Sequence, residues 1–330
     1  MAFRLVIATL SLLVTLALVA VGAAYYGLER YRAPGPLAAE TTIVIPRGAG
    51  LGAITGQLAE AGVIDQPLIF RLGVRASGAA QGLKAGEYRF EPGISMAGVA
   101  AVLESGKTVV RKVTVAEGLT SKEIADLVAD AEAMVGEVGP PPPEGSLLPE
   151  TYHYAHGDER AELIVRMTAA HDALLAELWP KRAANLPLKS PAEAVILASI
   201  VEEETGVGAE RPLVASVFIN RLNRGMRLQS DPTVIYGLTM GQRPLGRPLT
   251  RLDLQTGTAY NTYQIDGLPP APIANPGRAS LEAVLNPATS KFLYFVADGT
   301  GGHAFSKTLA EHNKNVQKWR KLQKQKKAAQ

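Results

Sequence analysis

From Leu5 to Tyr26 the chain carries no charged residue, and Leu, Val and Ala dominate the run. A helix needs about 20 apolar residues to cross the hydrocarbon core of a bilayer, so this stretch is long enough to span one. Tyr25 and Tyr26 stand where an interfacial aromatic belt is expected, and Glu29, Arg30 and Arg32 follow on the aqueous side. Ala20-Val21-Gly22 also offers small residues at the spacing of a signal-peptide cleavage site. The apolar run exceeds a usual signal core, which favours a retained anchor over residues 1–27. Arg4 and the amino group oppose Arg30 and Arg32, so charge sets orientation only weakly. Either reading places the bulk of the chain outside the cytoplasm. The expected location is therefore the cell (inner) membrane, crossed once, with the remainder on the periplasmic or extracytoplasmic side.

Beyond the anchor the composition is that of a folded protein: 47% of the 330 residues are hydrophobic and 20% charged. A net charge of +3 is too small for a nucleic-acid-binding face, so nucleic acid is not an expected partner. With no cysteine there are no disulfides and no thiolate metal sites, and the five histidines show no metal-ligand spacing. No metal site is expected.

Two segments echo each other. Ile43-Val44-Ile45-Pro46-Arg47-Gly48 returns as Val113-Thr114-Val115-Ala116-Glu117-Gly118, each an alternating strand, a glycine turn and then a helix. Ile54 and Ala59 of the first copy match Ile124 and Ala129 of the second. Between the copies, Pro67 to Arg75 and Met96 to Leu103 read as helices and Glu87 to Phe90 as a strand. Residues 41–110 are thus expected to form a small α+β module. Residues 111–145 hold the second strand–helix copy and the run Gly139-Pro140-Pro141-Pro142-Pro143, which reads as a stiff linker or surface loop. Residues 146–330 form a second α+β domain, which includes a helix from Ala161 to Leu178 and closes with a basic helix from about Leu309 to Lys327. The fold class is α+β behind an N-terminal transmembrane helix.

Ser190-Pro191-Ala192-Glu193 is a capping-box helix start with Pro at the first helical position. Val195 to Val201 is apolar almost all round, which predicts a buried helix. It runs into Glu202, Glu203 and Glu204, with Gly206 and Gly208 expected to end it. Glu204 lies four residues after Ile200, three after Val201 and seven after Leu197, and so extends an apolar stripe. Lost water and the negative end of the helix dipole both raise the pKa of a carboxyl there, as a general acid requires. Glu202 continues another apolar row through Val195 and Ala198 and ranks close behind. Glu203 follows Ser199 and is the solvated one. All three read equally as a solvated helix end, although acids at a helix C-terminus are unfavourable and three of them there are a mild argument for function.

The segments ILASIVEEETG, ASVFINRL, RLQSDPTVIYG, AYNTY, GLPPAPIANPG and YFVADGTGGHAFS resemble, in order, those of the endolytic murein transglycosylase (YceG-like) family. Weaker similarity extends to EGSLLPETY (Glu144 to Tyr152) and KAGEYRF (Lys84 to Phe90). The resemblance implies a membrane anchor, a LysM-like module at 41–110 and a lytic transglycosylase domain. It also implies a catalytic glutamate at the last acid of E-x-E-T, which is Glu204, and so separates Glu204 from Glu202. The implied reaction cleaves the MurNAc–GlcNAc bond of nascent peptidoglycan glycan strands, leaves 1,6-anhydro-MurNAc ends and terminates the strand. It needs one carboxyl and no cofactor. A peptidoglycan synthase is the protein partner that the family makes plausible.

Further candidate substrate-binding residues are Gln229 and Asp231, Tyr260, Asn261 and Tyr263, and His303, carried with Phe305 on a glycine-rich loop. Asp231 before Pro232 reads equally as a turn or cap. Tyr260 to Tyr263 reads equally as a strand edge with core tyrosines. The basic tail reads as a solvated helix face, with attraction to anionic lipid or wall polymer as the alternative. Two rival functions stand beside the transglycosylase: a non-catalytic peptidoglycan-binding or scaffold protein, and a lysozyme-type hydrolase with Asp231 or Glu202 as partner carboxylate.

Overall fold

The computed structural model describes residues 2–328. It opens on α1 (Ala2–Arg32), a single helix that is long and apolar enough to cross a membrane and whose most apolar stretch is buried by none of the described residues. The described residues divide into two compact units, one of residues up to 111 with 153–158, the other of residues 112–152 and 159 onward.

In the first unit β1 (Thr41–Ile45), α2 (Leu51–Glu60), α3 (Pro67–Ala76) and β2 (Gly86–Phe90) follow in sequence, and the strands pair antiparallel with Ile43 opposite Tyr88 and Ile45 opposite Gly86. Alternation puts Ile45, Tyr88 and Phe90 inward, where they meet Ile54, Leu58, Phe70 and Val74 of the two helices. α4 (Met96–Ser105) completes this core with Val99 and Leu103 and ends on left-handed Gly106. Arg111 grips Glu87 through two hydrogen bonds, Nε to Oε2 at 3.1 Å and Nη2 to Oε1 at 2.8 Å.

The second unit contains the other strand–helix copy. Lys112–Thr114 of β3 (Arg111–Thr114) lead through left-handed Gly118 to α5 (Ser121–Ala129), which starts on a complete capping box of Thr120 and Glu123. Gly48 is left-handed at the matching point of the first copy, so the echo in sequence is an echo in backbone conformation. The proline run, read as a stiff linker or surface loop, lies within the second unit, where the Pro143 carbonyl accepts from the hydroxyls of Ser121 and Ser146.

After β4 (Thr151–Tyr154) and α6 (Arg160–Leu178), the core of this unit gathers around α7 (Pro191–Glu204). α7 packs on α8 (Arg211–Asn223) and α10 (Arg278–Leu285), with Leu197, Ile200, Val201, Phe218 and Leu281 fully or almost fully buried. Each such side chain contributes roughly 1.5–3 kcal/mol of burial, so the helix is held as a rigid strut. α9 (Asp231–Thr239), the hairpin β5 (Tyr294–Ala297) with β6 (His303–Ser306), and α11 (Leu309–Ala328) surround its C-terminal end.

The start of α7 departs from expectation in one detail. Ser190 accepts from the Glu193 amide, but the Glu193 carboxylate reaches the amide of Lys189 and not that of Ser190, so the capping box is half made. The end departs too. Thr205, extended at φ −148°, stops the helix and its hydroxyl accepts from the Val207 amide, so Gly206 and Gly208 are not the stop.

Candidate active site

The rigid end of α7 presents its three acids in three different settings. Glu202 is buried, and its carboxylate is fully engaged: Oε1 accepts from Arg211 Nη2 at 2.7 Å and Oε2 from the Gly277 amide at 2.9 Å. Arg211 also holds Glu117 at 2.8 Å. Burial pushes the Glu202 carboxyl up, with the Gly277 amide and Arg211 acting against it. Glu202 therefore ties α7 to α8 and to the start of α10. Glu203 is exposed in a groove of about 510 Å³ beside Gly118 and Glu123. The protein around the groove, then the charges of Glu202, Glu123 and Glu204, lift its pKa to about 7. Its open access to water screens that repulsion more than at a buried site.

Glu204 is half-buried and opens into a separate groove of about 560 Å³. Among the described residues its carboxylate has one hydrogen bond, accepted by Oε1 from the Ser230 hydroxyl at 2.6 Å. Burial raises its pKa to about 7; the Ser230 bond, His303 and Arg221 pull down and Asp231 pushes up. At neutral pH this carboxyl is divided between its two protonation states, the condition for donating and then taking back a proton.

Ser230 is held at every polar atom. Its amide donates to Thr262 Oγ1 at 2.9 Å, its carbonyl accepts from Thr233 Oγ1 at 2.7 Å, and its hydroxyl is committed to Glu204. Because the Thr233 proton is spent on that carbonyl, Thr262 must donate to Thr233 across their 2.8 Å contact. The residue before it, Gln229, has φ +51°, a left-handed conformation that strains a side-chain-bearing residue. Its amide is tied to the Thr262 carbonyl at 3.1 Å and its Oε1 to Arg221 at 3.3 Å. The turn that delivers Ser230 is thus clamped from both sides.

The other candidates fall in several places. Gln229, Asp231 and Tyr263 line the Glu204 groove, where the Tyr263 hydroxyl donates to Asp231 Oδ1 at 2.7 Å. Asp231 is the first residue of α9, so Asp-Pro opens a helix here while its carboxylate remains at the groove. His303 sits beside the groove on β6, its Nδ1 2.7 Å from Glu210 Oε2 and its ring edge-on to Phe295. Tyr260 packs on Tyr236 with ring centroids 4.9 Å apart, away from Glu204. Asn261, expected at a sugar subsite, is completely buried: its amide nitrogen serves the carbonyls of Leu254 and Thr256 and its oxygen accepts from the Tyr263 amide. It braces a turn and has no surface left for a ligand. The segment 260–263 is a turn, not a strand edge.

Three residues that the sequence did not single out shape the site: Ser230, Arg221 and Glu210. Arg221 lines the groove and faces Tyr294 at 5.1 Å. α11, read as a solvated basic tail, presents Lys314, Lys318 and Lys321 to water. Its other face closes the groove, with His312 stacked on Tyr294 and Arg320 at the rim.

The sequence profile of the YceG-like family matches residues 43–318. The endolytic murein transglycosylase of Bacillus subtilis (strain 168) is 32% identical over 308 residues, which covers 84% of either chain. The endolytic murein transglycosylase of Streptococcus pneumoniae serotype 2 (strain D39 / NCTC 7466) is 29% identical over 324 residues, covering 83% of this chain and 57% of its own. A crystal structure of a yceG-like protein from Listeria monocytogenes is similar with a TM-score of 0.51 at 32% identity, covering 84% of this chain and 99% of that one.

Proposed function

The chain belongs to the YceG-like family, that of the endolytic murein transglycosylases, and from that premise we propose that it cleaves peptidoglycan glycan strands with Glu204 as general acid and base. The observation that carries the assignment is the contrast among the three acids. Glu202 is locked by Arg211 and Gly277, Glu203 faces another groove, and Glu204 alone of the three faces the groove formed with Gln229, Asp231 and Tyr263.

In the proposed reaction the neutral Glu204 carboxyl donates its proton to the glycosidic oxygen as the bond from C1 of MurNAc to that oxygen breaks. The 6-hydroxyl of the same MurNAc then forms a bond to C1 and returns its proton to Glu204. No water is consumed, and the 1,6-anhydro end forms with the enzyme restored. Since Ser230 donates to Oε1, the proton of the neutral acid is left to Oε2. Because the attack is intramolecular, orientation replaces a second carboxylate. Tyr263 and Asp231, linked to each other, and Gln229 are the groups we assign to holding the sugar, with His303 and Glu210 supporting the β5–β6 side.

We read α1 as a single-pass anchor in the cell membrane with both units on its outer side, and the βααβ arrangement of β1, α2, α3 and β2 as a LysM-like glycan-binding module. A wall synthase is the partner such an enzyme would work beside.

Purified sacculi digested by the full chain in detergent test the reading. Mass spectrometry should find new MurNAc ends in the anhydro form. New reducing ends, heavier by one water, would instead establish hydrolysis. The Ser230 bond predicts a further result. Its hydroxyl favours the ionised form of Glu204 and holds the pKa down, so Ser230→Ala raises it above about 7. The alkaline limb of the pH–activity profile then moves to higher pH. An unmoved limb would mean that Glu204 is not the group titrating in the rate.

A further inference from the structure

A third cavity lies in the first unit. It is an apolar groove of about 410 Å³ between the end of α1 and α3, lined among others by Ala23, Ala24, Gly27, Leu28, Leu72 and Gly73. α1 does not end in a flexible tether. It continues without a break to Arg32, Arg30 reaches Asp65 at 3.0 Å, and Tyr31 packs against Gly73 so closely that any side chain there would overlap its ring. α3 is therefore fixed to the helix that carries the apolar span.

Its depth follows from counting. About 20 residues cross the hydrocarbon core, so a span that starts near Leu5 leaves the core near Ala24. Ala23 and Ala24 are themselves walls of the groove, which puts α3 at the boundary between hydrocarbon and headgroups. α3 has the composition for that place. Phe70 and Val74 face the core, while Leu68 (61% exposed) and Leu72 (55% exposed) stand one helical turn apart on the outside, flanked by exposed Arg71 and Arg75. Exposed leucines with neighbouring arginines are the pattern of a helix lying in a membrane interface, and the arginines complement anionic lipid.

We propose that α3 and the α1–α3 groove form a lipid-contacting face. Leu68 and Leu72 enter the acyl boundary, Arg71 and Arg75 pair with phospholipid headgroups, and an acyl chain occupies the groove. The first unit then lies on the bilayer as well as being tethered to it. This rests on the reading of α1 as a membrane span, and the experiment separates the two.

The chain has no cysteine, so Leu72→Cys and, in a second protein, Leu13→Cys each give one labelling site for an environment-sensitive fluorophore. The full chain is reconstituted in vesicles of phosphatidylglycerol and phosphatidylethanolamine. Some of the lipid carries a nitroxide quencher, either near the headgroup or near the chain end. The label at position 72 should lose at least about half its emission to the headgroup-proximal quencher and little to the deep one, as an interfacial helix requires. The label at position 13 should respond to the deep quencher. Arg71→Gln with Arg75→Gln should weaken quenching at position 72 and leave position 13 unchanged. If position 13 is quenched and position 72 responds to neither lipid, the face is not a lipid face and the proposal fails with the anchor intact. A label at 72 that is shielded from water yet unquenched would show protein covering it and also overturns the proposal. If position 13 is itself unquenched, the anchor reading falls and takes the proposal with it.

Discussion

Glu204→Gln is expected to lower release of anhydro-ended fragments by about 10²–10⁴-fold, the usual range for losing one positioned acid–base group. The same change should leave the protein more stable at pH 8. Gln keeps the shape and can still accept from Ser230 through its amide oxygen, but it has no proton to give. The stability effect comes from linkage. In the folded chain the Glu204 pKa is about 7, against an ordinary value of 4.5, so folding favours the protonated carboxyl. That contribution is fully present below about pH 4.5 and is lost as pH rises through about 7. Above that, an ionised carboxylate sits in a poorly hydrated groove. The difference corresponds to about 3 kcal/mol at most, reduced because the groove is open on one side. Denaturant unfolding of the two proteins should therefore agree at pH 4 and diverge in favour of Gln at pH 8. Loss of activity with equal loss of stability at both pH values would mark Glu204 as structural and remove it from the chemistry.

Position 204 shows why part of this site could be read in the sequence and part could not. An all-apolar Val195–Val201 run demands a buried helix, and the spacing from Ile200 and Val201 puts Glu204 on an inward row while Glu203 faces out. Both placements follow from local periodicity. What separates Glu202 from Glu204 lies elsewhere in the chain: Arg211 and the Gly277 amide reach one, Ser230 the other. Such partners are invisible to helix geometry, and only family resemblance chose between the two acids. The same limit misplaced Asn261. Its neighbours Tyr260 and Tyr263 give the composition of a sugar subsite, but a buried amide that satisfies the carbonyls of its own turn has that composition too. Asn275, inside a segment of prolines and glycine, is likewise a brace. Its oxygen accepts from the Leu147 amide and its nitrogen donates to the Leu119 carbonyl and to Glu144. Polar residues among prolines and glycines therefore signal irregular backbone that must be satisfied, whether or not a ligand lies beyond it.

Arg221→Met is expected to destabilise the chain by about 3–5 kcal/mol and to move the pH profile of cleavage. The Arg221 guanidinium is buried with no carboxylate within bonding distance among the described residues. It spends its donors on the carbonyls of Leu293 at 2.7 Å, Leu228 at 2.8 Å and Arg227 at 3.2 Å, and on Gln229 Oε1 at 3.3 Å. Burial pulls its pKa down, yet a guanidinium remains charged. Methionine fills similar space but leaves those acceptors in the interior without a donor, at about 1–3 kcal/mol for each group left unsatisfied. The loss should not be confined to stability. Gln229 holds a left-handed conformation worth about 1–3 kcal/mol of strain, and Arg221 is one of its two anchors. Once released, the turn relaxes and the Ser230 hydroxyl leaves Glu204. The positive charge that favours the ionised form of Glu204 goes with it. Both losses raise the Glu204 pKa, so the alkaline limb should move in the same direction as in Ser230→Ala, and further. Arg221→Lys separates the two roles. It keeps the charge but not the planar fork that reaches several acceptors at once, so it should restore part of the electrostatic shift and little of the stability. If Arg221→Met keeps the pH profile unchanged while losing stability, Arg221 braces the fold and does not position the acid.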